Sequence, residues 1–131
     1  MRTIKEILAE SKTIAVVGLS SKPDRPSYGI AKALQQYGYR VIPVNPVEQE
    51  VLGEKSYASL QEIPEKVDVV NVFRRAEQTP PIALEAVEIG AKALWLQSGI
   101  LSEEAEQIAS EGGLDVVMDR CIMVEHRKLG L

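Results

Sequence analysis

Thr13-Ile-Ala-Val-Val-Gly-Leu-Ser-Ser-Lys-Pro-Asp-Arg-Pro-Ser-Tyr-Gly29 is the stretch on which the fold turns. It begins as a short apolar, β-branched run, Thr13 to Val17, which Gly18 ends. A polar loop of Ser, Lys, Pro, Asp and Arg follows, and a helical pattern starts near Pro26 and Ser27. Strand, glycine turn and helix start, in that order, form the layout of a phosphate site in an α/β sheet. The turn and the first helical residues there present backbone N–H groups that no helix carbonyl can reach.

The flanking sequence repeats this grammar. Thr3-Ile-Lys-Glu6 is a capping box that opens a short helix from Ile4 to Glu10. Arg40 to Val44, Val67 to Phe73, Lys92 to Leu96 and Leu114 to Met118 are apolar runs that read as further buried strands. Ile30, Ala33, Leu34 and Tyr37 mark one face of a helix that Gly38 stops. Val47 to Gly53 reads as a polar loop, and Pro64 limits a helix after Ser59 to a turn or two. Thr79-Pro80 and Ser102 open two more helices, the second ending at Gly112-Gly113. The tail, Asp119 to Leu131, reads as a short charged segment that leaves His126 exposed.

This alternation predicts an α/β fold: a doubly wound, parallel, five-stranded, Rossmann-like sheet in three layers. With the strands counted in chain order, the common arrangement 3-2-1-4-5 puts the switch point between strands one and four. The loops after Val17 and Leu96 are then expected to flank the crevice, with those after Val44 and Phe73 alongside.

Composition narrows the function. A chain of 131 residues suits one domain, residues 1–131. With 45% apolar and 26% charged residues, a folded globule is expected rather than a disordered chain. A net charge of −4 argues against a global grip on nucleic acid. No apolar run has the length of a membrane span, and the N-terminus lacks a signal-peptide core. One cysteine, Cys121, and one histidine, His126, leave no disulfide framework and disfavour a metal site. The expectation is a cytoplasmic, metal-free domain that holds a small molecule and binds neither nucleic acid nor membrane.

The ligand follows from the loops. An NAD fingerprint needs a second glycine two residues after the first and an acidic residue ending the second strand. Here Gly18 is followed by Leu19-Ser20, and the second strand runs into Asn45-Pro46. A Walker-type Gly-Lys-Ser/Thr is absent as well. Lys22 and Arg25 in the first loop, and Arg74 and Arg75 after the third strand, instead gather cations at one sheet end. Asp24, Glu48 and Glu50 offset part of that charge. The pattern suits an anion carrying more than one phosphate.

A set of short motifs, in order, carries a resemblance. They are Gly18-x-Ser20 with Lys22-Pro23, Pro43-Val-Asn-Pro46, Leu52-Gly53, Tyr57, Leu60, Ile63-Pro64 and Asp68, then Val72-Phe-Arg-Arg75, Trp95-Leu-Gln97 and Met118-Asp-Arg-Cys121. Across roughly Ile4 to His126 the chain resembles the small CoA-binding proteins. These are stand-alone domains similar to the N-terminal CoA-binding domain of the succinyl-CoA synthetase α subunit. The resemblance implies coenzyme A, or an acyl-CoA, as ligand. It implies that Gly18, Ser20 and Ser21 meet the pyrophosphate and pantetheine side, and that Arg25 and Tyr28 border the phosphates. Asn45 and Pro46 would lie near the adenosine, and Phe73 and Arg74 would line the adenine or pantetheine wall. Gln97, Ser98 and Gly99 would close the crevice near the thiol arm. The family often carries a lysine after its Asn-Pro pair, where this chain has Val47.

The synthetase also needs a second domain with a phosphorylated histidine, for which this chain has no room, so binding without catalysis is expected. Two other readings stand beside it. Cys121 would act on a CoA thioester or form a CoA mixed disulfide, although a lone cysteine is ordinarily a small buried hydrophobe. Alternatively, the chain would be an interaction module responsive to NAD(P) or another nucleotide.

Overall fold

The computed structural model describes residues Met1–Leu131. Helix α1 (Ile4–Glu10), strand β1 (Thr13–Val17), helix α2 (Pro26–Gln36) and strand β2 (Arg40–Val44) come first. The Thr3 capping box forms as read: Glu6 N–H donates to Thr3 Oγ1 at 3.1 Å, and Thr3 N–H donates to Glu6 Oε1 at 2.9 Å. The expected polar loop then contains a small hairpin, β3 (Glu50–Val51) and β4 (Glu54–Lys55). Its two-residue turn, Leu52-Gly53, has φ of 54° and 78°, the paired positive values that let a tight turn follow strand twist. A 3-10 turn over Leu60–Glu62 leads to β5 (Val69–Val72), α3 (Thr79–Glu88), β6 (Ala93–Leu96), α4 (Glu103–Glu111) and β7 (Asp115–Val117).

The tail departs from its reading. Residues Ile122–Leu129 form a helix, α5, with His126, Arg127 and Lys128 in the last turn, where cations favour the helix dipole. Gly130 closes it in the left-handed conformation, φ 66°.

The main sheet is parallel and ordered β2-β1-β5-β6-β7. In chain order of its five strands this is 2-1-3-4-5, which corrects the expected 3-2-1-4-5. The reason lies in which face each connection crosses. Ala31 and Leu34 of α2 pack with Ile14, Val16 and Val41, whereas Leu60 packs with Ala15, Val17 and Val44 on the opposite face. A right-handed connection on that opposite face carries the chain back over β1 to its far side. Pro43 also marks β2 as an edge. Tyr57 N–H donates to Pro43 O at 3.0 Å on the outer side, where a second full strand would need the N–H that proline lacks. The switch point therefore lies between β1 and β5.

The three layers appear as two buried clusters. Helices α1, α2 and α5 cover one face through Ile7, Leu8, Leu34 and Ile122. Helices α3 and α4 cover the other through Ala83, Ala86, Ala105 and Ala109, whose small side chains let the helices approach the sheet. At the β7 edge, Val116 N–H donates to Met1 Sδ at 3.3 Å, and Arg2 Nε pairs with Asp115 at 2.7 Å. No helix is long and apolar enough to cross a membrane.

His126 is buried rather than exposed. Its ring stacks on Tyr37 at 4.1 Å and meets Tyr39 edge-on at 5.6 Å. Tyr39 is itself anchored, its hydroxyl donating to Leu8 O at 2.7 Å. Burial pushes the His126 imidazole below its ordinary value of 6.5. The unfolded chain then takes up the proton first as pH falls. Stability from this contact is complete above about 6.5 and is lost as pH drops from there towards the lower folded value. Thermal melts of the wild type should fall relative to His126→Phe as pH is lowered through that range. Parallel curves for the two proteins would contradict this.

Candidate functional site

The C-terminal end of the sheet is organised by Gly18. At φ 88°, this residue sits so close to β5 that a Cβ would lie 2.6 Å from Phe73 O and 3.3 Å from Arg74 Nε. Gly18 N–H donates to Val44 O at 2.8 Å, and Phe73 N–H donates to Val17 O at 2.8 Å. The turn thus joins the ends of three neighbouring strands. Beyond it the loop folds back on α2: Ser20 N–H donates to Ser27 Oγ, and Lys22 N–H donates to Ser20 Oγ, both at 3.1 Å. Pro26 occupies the first turn of α2, and the N-cap Arg25 makes no side-chain capping bond. The helix start therefore keeps the uncapped N–H character of an anion site.

Two cavities meet at this point. One, of about 480 Å³, is lined by Gly18, Ser20, Lys22, Arg25, Ser27, Asn45, Glu48 and Arg74, with Pro26, Val47 and Phe73. The other, of about 620 Å³, runs past Pro26, Ile30, Phe73, Ala76 and Ile100 to Gln97, Ser98, Gly99 and Cys121, with Arg74, Arg75 and Glu77 at its margin. Pro26, Phe73 and Arg74 belong to both. A smaller cavity of about 220 Å³ lies beside Pro46, Val44, Leu60 and Ile82, and Arg74 borders it too. The loop after β5, expected alongside the crevice, is thus at its centre, as the corrected strand order requires. A cavity of about 590 Å³ at the opposite sheet end has its Arg2 already paired with Asp115 and holds no glycine turn facing a helix start.

The expected site residues divide by position. Gly18, Ser20, Lys22, Arg25, Asn45 and Arg74 come together in the polar cavity, and Phe73, Arg75, Gln97, Ser98 and Gly99 in the apolar one. Pro46 lines the small cavity. Ser21 and Tyr28 line none of the three; Tyr28 packs against the core under α2. Asn45 braces its own loop, Nδ2 donating to Leu19 O at 3.1 Å and Oδ1 accepting Val47 N–H at 3.0 Å. Arg75 is largely exposed and pairs with Glu77 at 3.6 Å, whereas no carboxylate pairs with Arg74.

The sequence reading set Glu48 against the cations without placing it, and it missed Asn71. Glu48 lines the polar cavity, where its Oε2 accepts Ser21 N–H at 2.8 Å; the Ser21 side chain first and this backbone N–H second hold the carboxyl below the usual carboxylate range. Asn71, fully buried in β5, donates through Nδ2 to Gln97 Oε1 at 3.1 Å and to Trp95 O at 3.4 Å. Ile122 N–H donates to the same Gln97 oxygen at 2.9 Å, and Trp95 Nε1 donates to Arg120 O at 2.8 Å. One amide inside the apolar run Val69-Val-Asn-Val72 was the available signal. Cys121 lines the apolar cavity, but His126 lines another with Tyr37 and Tyr39, and no hydrogen bond joins the two. No group of three His, Cys, Asp or Glu side chains is placed to hold a metal ion.

Comparison with known proteins was made against this geometry. The family model described as "CoA binding domain" matches residues 12–127. The uncharacterized protein YneT of Bacillus subtilis is 54% identical over 123 residues, covering 94% of this chain and 91% of that one. The acetate–CoA ligase (ADP-forming) I subunit alpha of Pyrococcus furiosus is 35% identical over 115 residues, 81% of this chain. Only 25% of that subunit is covered, so this chain spans about a quarter of its length. A hypothetical protein from Pyrococcus horikoshii OT3 has a solved structure that superposes with a TM-score of 0.95 at 43% identity, covering 98% of this chain and 90% of that one.

Gly18→Ala tests the organising contact. The added methyl must displace backbone and accept a left-handed φ, so stability should fall by about 2 kcal/mol or more. Urea unfolding measures this; a loss within experimental error would show that the two loops separate freely.

Proposed function

This chain belongs to the CoA binding domain family, and on that footing we propose that it binds coenzyme A or an acyl-CoA at the switch point without catalysing a reaction itself. The observation that carries the reading is the junction of a cationic polar cavity with an apolar one through Pro26, Phe73 and Arg74. CoA has the same division, a polyphosphate end and a long, mostly uncharged arm. The diphosphate would rest on the Gly18–Ser20 turn and the α2 start, with Lys22 and Arg25 beside it. The arm would pass Phe73 towards Gln97, Ser98 and Gly99, leaving the adenosine near Asn45 and Pro46. Arg74, free of any carboxylate and bordering all three cavities, is the cation best placed to hold the ligand where its two halves join.

Absence of catalysis is supported by the separation of Cys121 from His126, which line different cavities. A dinucleotide is disfavoured because the second glycine is Ser20 and the side chain ending β2, Asn45, is spent on Leu19 and Val47. Glu48 works against any anion in this site, occupying a backbone N–H that a phosphate oxygen would use.

Calorimetric titration tests the reading. CoA should bind at sub-millimolar concentration and more tightly than NAD, and no heat at millimolar CoA would overturn the proposal. Arg74→Ala should weaken CoA by about tenfold or more, the loss expected for a charged hydrogen bond. Glu48→Ala should tighten it about two- to fivefold, since it removes one exposed like charge. Unchanged affinity in both variants would place the phosphates elsewhere.

A further inference from the structure

The apolar cavity is lined by a thiol and by a side-chain amide donor that no protein group uses, which CoA binding alone does not explain. Gln97 is 4% exposed. A backbone group sets its polarity: Ile122 N–H can only donate, and it reaches Gln97 Oε1 at 2.9 Å, as Asn71 Nδ2 does at 3.1 Å. Rotating the amide would set its NH₂ against two donors. Nε2 is therefore held as the outward end of the side chain, a donor without a protein acceptor on the cavity wall. Solvent reaches this nitrogen from the cavity and no protein group takes its hydrogens, so it is free to donate to a ligand oxygen such as a carbonyl.

Cys121 immediately precedes the peptide N–H that orients Gln97, and it lines the same cavity. It is partly exposed, and as N-cap of α5 its side chain makes no capping bond. The donor and the thiol thus face one ligand space from adjoining positions.

We propose that Cys121 is a covalent capture site for CoA disulfides. The inference rests on the CoA reading of the crevice. The pantetheine arm enters the apolar cavity, and one of its amide carbonyls accepts a hydrogen bond from Gln97 Nε2. Cys121 gives its proton to solvent, and its thiolate attacks one disulfide sulfur. A bond forms between Cys121 Sγ and that sulfur while the original S–S bond breaks. The second CoA leaves as a thiolate and takes a proton from solvent. Cys121 is oxidised to the mixed disulfide by two electrons that reduce the departing CoA, so no further oxidant is needed. Gln97 is a positioning residue in this step.

The probe is CoA disulfide, with oxidised glutathione as a disulfide that lacks the nucleotide end, and the readout is intact-protein mass over time. A single CoA adduct should form, reverse with dithiothreitol and be absent from Cys121→Ser. It should form at least about tenfold faster than the glutathione adduct, the advantage of a bound over a free reactant. Gln97→Glu keeps an oxygen for Ile122 and Asn71 but replaces the donor; it should slow the CoA reaction severalfold more than the glutathione reaction. Equal rates for the two disulfides, or an adduct that survives in Cys121→Ser, would overturn the capture site. Titration of the reduced wild type with reduced CoA separates the two levels. Binding without a selective adduct defeats this inference alone, and no binding defeats the CoA reading with it.

Discussion

A missing side chain at Gly18 lets two strands of this sheet share one functional end. The backbone of the β1 turn and the carbonyl of Phe73 lie closer than any Cβ would permit. The chain leaves β1 towards β2 on one side and leaves β5 towards β6 on the other, so their loops diverge from a common point. A wider gap would separate the α2 start from Arg74, and the polar and apolar cavities would no longer share a wall. The contact is thus a backbone constraint with a chemical result: it sets donors, cations and an apolar channel around a single junction.

The site is tuned in opposite directions by its neighbours. Lys22, Arg25 and Arg74 attract negative charge, while Glu48 places a carboxylate on one of the same N–H groups. Such a balance keeps the cavity satisfied when empty, because a polar group with a protein partner costs less than one left bare. On the apolar side the logic reverses. There Asn71 and Ile122 both donate to the Gln97 oxygen and leave the Gln97 amide nitrogen outward, while Asn71 Oδ1 stays buried without a partner.

Much of this was legible in the sequence because the strands are buried on both faces. Apolar runs punctuated by glycine, with the Thr3 capping box, located α1, β1 and β2 residue by residue and α2 to within a residue at each end, and the Gly18 turn with them. Strand order was harder, since local pattern says nothing about which face a connection crosses. Pro43, which has no N–H to offer a further strand on its outer side, held the missing information. The tail failed for a different reason. In α5 an apolar block, Ile122-Met-Val124, precedes a polar one, Glu125 to Lys128, so its buried face shows only once Ile122 has a sheet to pack on and His126 has Tyr37 to stack on. Glu48 and Tyr28 show a related limit, as a side chain in a loop or a first helical turn can face the cavity or turn away from it without changing the local pattern.

Helix α5 gives the fold a direction in time. It is the final element of the chain, yet its first peptide N–H orients Gln97, and Cys121 before it supplies part of the apolar wall. On the ribosome, the Gly18 turn, α2 and all seven strands emerge before that wall exists. A nascent chain can therefore assemble its polar cavity early, whereas the apolar cavity is sealed only when α5 docks over α1. Formation of the two halves is sequential, and the wall that carries Cys121 is completed only after the scaffold.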